Sequence, residues 1–159
     1  MSGKGYGFHR DVANGDLEIV VAGTTALSLT TTGVKSVSPT VALGYGTGAG
    51  GTATQITNRS TGVTMSPNPC LSGTIQTDTT SLAGLASADF IVTNSAVAIG
   101  DVVLVSIQSG SNSGGTIVSV AIVTAGTFTV RVSNNNAAAG TAETGAIIIN
   151  FAIIKAVSA

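Results

Sequence analysis

The sequence predicts an all-β protein, a β-sandwich or jelly-roll-like main domain preceded by an extended N-terminal arm that carries a β-hairpin. Three observations predict it. Glu, Lys, Gln and Leu, the strong helix formers, are scarce, whereas β-branched residues and glycine are common. Short segments of alternating apolar and polar residues recur, separated by Gly, Ser and Asn clusters. Charge is sparse: 13 of 159 residues are charged, while Gly, Ser, Thr and Asn supply 70. Soluble domains carry about a quarter charged residues, so this outer surface is built from hydroxyls and amides, with part of its apolar area hidden against partner subunits.

The elements follow in chain order. Leu17 to Val21 and Thr25 to Thr30 flank Ala22-Gly23-Thr24 and read as a hairpin, with Leu17, Ile19, Leu27 and Leu29 on one face. Two strands alone are marginal, so this hairpin needs a second surface. Residues 31–51, rich in Thr and Gly, mark the end of the arm. The organisation is therefore an anchoring arm over 1–43, a Gly-rich linker over 44–51 and a sandwich domain over 52–159. In that domain, strands are expected at Thr52 to Asn58, Ser72 to Thr77, Asp89 to Thr93, Val102 to Gln108, Thr116 to Val123, Thr127 to Ser133 and Ala146 to Ala156. Phe128, Val130 and Val132 form an inward row, as do Val118, Val120 and Ile122. The last strand is apolar on both faces, with Ile148 and Ile154 opposite Ile149, Phe151 and Ile153. Such a strand is either central in two packed layers or covered by another subunit. Thr79 to Ala88 is a loop or one short turn, because Gly84 interrupts its apolar residues.

Composition also excludes functions. A net charge of −1 leaves no basic footprint for nucleic acid. No run reaches the roughly 20 apolar residues of a spanning helix, since Asn150 and Lys155 interrupt the longest. A membrane barrel would carry aromatic girdles, and this chain has no Trp. The first ten residues have no apolar h-region, so no secretory signal is expected. The one cysteine, Cys70, rules out an intrachain disulfide and fits assembly in a reducing cytoplasm.

Motifs that resemble chemistry are read structurally. Gly46-Thr47-Gly48-Ala49-Gly50-Gly51 has the letters of a dinucleotide loop, yet a strand-like segment follows where a helix is required. His9 is the sole histidine and has no nucleophile near it in sequence. Asp78, Asp89, Asp101 and Glu143 are candidates for a glycosidase pair. The first three sit at expected turns or strand edges, where Asp caps backbone, so no catalytic residue and no cofactor or metal is assigned.

Gly50-Gly51-Thr52-x-Thr54-Gln55-x-Thr57-x-Arg59-Ser60-Thr61-Gly62-Val63-Thr64 is similar to a segment of tailed-phage and prophage virion proteins. Gly73-Thr74-Ile75-Gln76-Thr77, Phe90-Ile91-Val92-Thr93-Asn94-Ser95 and Ile148-Ile149-Asn150-Phe151-Ala152-Ile153-Ile154-Lys155 extend the resemblance to the C-terminus. The chain thus resembles the capsid decoration (cement) and head-fibre proteins of tailed bacteriophages. The resemblance implies a structural virion protein whose partners are its own copies in a homotrimer and the major capsid protein or another virion protein. It would be assembled in the host cytoplasm and would bind no nucleic acid and no membrane. The alternative is a fibre or spike component that binds a host receptor or glycan. A glycan-cleaving enzyme and a cellular carbohydrate-binding module fit less well, the latter for want of Trp. The expected interface and anchoring residues are Tyr6 and Phe8 at the arm's tip, Leu17, Ile19, Leu27 and Leu29 on the hairpin, and Ile148 and Ile154 on the last strand.

Overall fold

A computed structural model describes residues 7–11, 16–21, 24–30, 33–36, 50–137 and 141–155. The chain divides into two compact units, Met1–Gly44 and Tyr45–Ala159. Among the described residues every regular element is a strand.

The first unit holds a four-stranded antiparallel meander: β1 (Gly7–Asp11), β2 (Asp16–Val21), β3 (Thr24–Thr30) and β4 (Gly33–Ser36). The expected hairpin is β2–β3, with Leu17 opposite Leu29 and Ile19 opposite Leu27. It has a strand on each side, where the sequence reading expected an extended tip before it and a boundary segment after it. β1 and β4 escape pattern reading because each is short, opens on glycine and contains a single large apolar residue, Phe8 or Val34.

The second unit is a β-sandwich. Its strands are β5 (Gly50–Thr54), β6 (Val63–Thr64), β7 (Ser72–Gln76), β8 (Ser87–Thr93), β9 (Val102–Ser109), β10 (Thr116–Thr124), β11 (Thr127–Asn134) and β12 (Ile148–Ile154). One sheet has the order β10-β11-β8-β6, the other β5-β7-β12-β9. β5 pairs parallel with β7 and β6 parallel with β8; the remaining ladders are antiparallel. β10 and β11 are joined through Ala125-Gly126, and Gly126 has φ 78°, which the tight hairpin requires and a side chain would resist.

The inner faces interlock. Phe90, Val92, Phe128, Val130 and Val132 come from one sheet, and Ile75, Val103, Ile149, Phe151 and Ile153 from the other. The rings of Phe128 and Phe151 meet across the layers at 5.5 Å and 45°. Loop residues Met65, Cys70, Leu82 and Val97 complete the core. The last strand is central in its sheet, between β7 and β9; its inner row Ile149, Phe151 and Ile153 is buried, whereas Ile154 of the outer row is exposed.

The row Val118, Val120, Ile122 is corrected by the structure. Register passes from Val120 opposite Val130 to Ile122 opposite Thr129, so Ala121 is an extra residue. This bulge reverses the alternation. Val118 and Val120 pack against the core, Val123 takes the next inward place, and Ile122 is 58% exposed.

Candidate interaction surface

The sandwich locks its loops with buried polar groups, which decides what remains on the surface. Glu143 is fully buried, and its carboxylate is ringed by donors. The hydroxyls of Ser111 and Thr116 donate at 2.6 Å, the Gly145 N–H at 2.7 Å, the Ser113 N–H at 3.1 Å and the Asn112 N–H at 3.2 Å. Burial opposes ionisation, but these bonds together outweigh it and hold the Glu143 carboxyl at about 2, below its ordinary 4.5. The group therefore fixes the loop between β9 and β10 in its ionised form. The segments close tightly there: a Cβ on Gly145 would lie 1.9 Å from the Gly110 carbonyl oxygen.

Arg59, also buried, ties the same region to two further segments. Its Nε donates to the Thr80 carbonyl at 2.5 Å and Nη1 to the Thr77 hydroxyl at 3.0 Å. Nη2 donates to the carbonyls of Glu143 at 3.2 Å and Gly145 at 2.8 Å. Gln55 donates to the carbonyls of Arg59 and Thr61 and accepts from the Asp78 N–H. Asn94 pairs its amide with both backbone groups of Cys70. Gln55, Arg59, Thr77 and Asn94 are thus internal ties.

The other carboxylates also have structural partners. Asp78 caps the backbone and hydroxyl of Thr80. Asp101 accepts from the Ala98 N–H at 2.8 Å and from Lys155 Nζ at 2.5 Å. Asp89 lies within β8, not at its edge as the sequence suggested, and makes a two-pronged bond to Arg131 at 2.7 Å on the outer face. Arg131 holds the Asp89 carboxyl below the usual carboxylate range. Among the described residues no three His, Cys, Asp or Glu side chains converge on a common point.

A prediction follows from Glu143. Its carboxyl is depressed in the folded state, so its stabilising contribution is present above about pH 5 and is lost as pH falls toward 2. That contribution is about 3 kcal/mol. Urea midpoints measured from pH 7 to pH 2 should fall most steeply below pH 4.5, and Glu143→Gln should flatten that fall.

What remains for contact is apolar. On the outer face of the β12–β9 pair, Ile154 stands opposite Val102 and Ala152 opposite Leu104. Ile154 is 54%, Val102 51% and Leu104 53% exposed. A shallow depression runs there between Leu104, Ser106, Asn150 and Ala152. On the opposite sheet Ile91, Ile117 and Ile122 are exposed.

The expected interface residues are distributed over three places. Ile154 is in the exposed strip; Ile148, half-buried, lies at the other end of β12 beside Gln76 and Ser109. In the N-terminal meander the backbone register sets Phe8, Ile19 and Leu27 in one row and Leu17 and Leu29 in another. Tyr6 lies outside the described residues, as do Gly46 to Ala49 of the glycine motif. Val102 and Leu104 were missed, although Ser106 and Gln108 further along the same row mark it as the outward one.

Comparisons of the chain with protein-family models, with curated proteins and with solved structures find no match.

Proposed function

We propose that the chain is a structural virion protein: a capsid decoration, or cement, protein that works as a homotrimer and is carried on the particle after assembly in the host cytoplasm. It would bind the outer capsid surface, contact the major capsid protein and brace neighbouring capsomers. The observation that supports this reading best is the division of roles among side chains. Buried polar groups such as Arg59, Gln55, Asn94 and Glu143 are engaged in internal ties, while Val102, Leu104, Ile117, Ile122 and Ile154 stand exposed on sheet surfaces. A sandwich with sparsely charged, partly apolar outer faces suits permanent protein contacts, whose interfaces resemble cores and bury about 2,000 Å² or more. The N-terminal meander supplies the anchor, with Phe8, Leu17, Ile19, Leu27 and Leu29 as its contact residues.

A chain comprising residues 45–159 tests the anchor. It should unfold cooperatively as a β-protein, oligomerise, and fail to bind particles stripped of this protein. Normal particle binding by the shortened chain would place the anchor elsewhere. Quantitative mass spectrometry of purified particles separates the two virion roles: hundreds of copies fit decoration, and a few copies fit a fibre or spike.

A further inference from the structure

We propose that the rim formed by β9 and β10 is the contact between copies of this chain, with β9 of each protomer adding its backbone to β10 of the next around a threefold axis. This rests on the trimeric reading above and identifies the surface that would make it.

The two rims of the sandwich differ. At one, β5 is joined across to the other layer: the Thr52 N–H donates to the Ser66 carbonyl at 2.8 Å, and the Ser66 N–H returns the bond at 2.9 Å. The end strand of the opposite sheet at that rim, β6, has only two residues. At the other rim β9 and β10 end their sheets side by side, and among the described residues no ladder joins them. Each has one row of backbone donors and acceptors with no strand partner among the described residues.

Exposed edges are normally guarded by charge, proline or irregularity. The eight residues of β9 and the nine of β10 contain no charge and no proline. β9 is regular from Val102 to Ile107, and β10 from Thr116 to Val120, before its bulge. Val102 and Leu104 on β9 and Ile117 and Ile122 on β10 are each at least half exposed. In a chain this poor in charge, two neutral edges face each other without like-charge opposition in any register.

Direction and position select another copy as the occupant. β5 and β6 oppose each other through Thr52 and Ser66, and the ladders onward from them make β9 and β10 antiparallel. Rotation about an axis alongside the rim, parallel to the strands, therefore brings β9 of one protomer antiparallel to β10 of its neighbour. Because the two edges are different and lie on one rim, the contact is head-to-tail, and a rotation of a third of a turn between neighbours closes it as a trimeric ring.

The full-length protein tests this by sedimentation and by hydrogen exchange. Wild type should sediment as a trimer, and Leu104→Lys/Ile117→Lys as a folded monomer with an unchanged β-type circular dichroism spectrum. Ile91→Lys, on the interior strand β8, should remain trimeric. Edge amides of 102–107 and 116–120 should exchange at least about tenfold more slowly in wild type than in the double variant. A wild-type monomer, a double variant that stays trimeric, or wild-type edge amides that exchange as fast as exposed loops would overturn the proposal. Stripped-particle binding separates the two readings. A rim-dependent trimer that does not bind particles counts against decoration alone, and a trimeric double variant that binds counts against the rim alone.

Discussion

Glu143→Ala should destabilise the sandwich by about 3–5 kcal/mol at pH 7, measured as the change in urea unfolding free energy. The substitution removes one fully buried acceptor and leaves five donors facing it: two hydroxyls and the N–H groups of Asn112, Ser113 and Gly145. Water has no ready access to a site with no exposed surface, so these donors lose their partner without replacement. Glu143→Gln should also be costly, because whichever oxygen its NH2 replaces, that group would face a backbone N–H of Asn112, Ser113 or Gly145, which can only donate. A cost below about 1 kcal/mol for both variants would show that the loop between β9 and β10 rearranges to recruit other acceptors. Amide exchange in residues 110–116 distinguishes these cases, since the predicted loss of the cage frees that loop first.

Phe128→Ala should cost about 3–5 kcal/mol, whereas Thr129→Ala should cost under about 0.5 kcal/mol. Phe128 is 1% exposed, and its ring meets Phe151 across the two sheets. Truncation opens a cavity between two layers, each kept stiff by its own ladders, whose spacing is set by the remaining core side chains. Thr129, one residue further, lies on the outer face between Ile91 and Ile122. Thermal and urea melts of both variants measure the contrast. Similar losses from the two would mean that β11 does not present a single inward row.

Much of the sandwich was legible because β11 alternates without interruption and β12 is a continuous apolar run. Phe128, Val130 and Val132 are buried as their spacing indicates, and so are Ile149, Phe151 and Ile153. The bulge in β10 was not legible. Val120-Ala121-Ile122-Val123 offers apolar residues at either parity, so only the partner strand decides where the alternation slips. β6 was invisible because two residues carry no period.

The polar ties were hidden for a different reason. Arg59 reaches carbonyls 84 and 86 residues away, and no local pattern marks a charged residue for burial. Glu143 stood in the sequence only as one candidate for a glycosidase pair; its donors are contributed by a loop some 30 residues earlier. For the contact surface, sequence reasoning found Ile154 but not Val102 or Leu104 beside it. It also placed Asp89 at a strand edge, although its pairing with Arg131 across the β8–β11 ladder puts it within the sheet.

Cys70 gives the molecule a built-in clock for its own opening. Its thiol is buried next to Gly51, where even an added methyl carbon would come within 2.5 Å of Sγ, and burial pushes its pKa up. A bulky thiol reagent therefore has no approach while β5 lies on β7. As the chain has no other cysteine, every labelled molecule reports the opening of this one site. Labelling rates followed against denaturant would yield the free energy of that local opening separately from global unfolding, with no probe introduced.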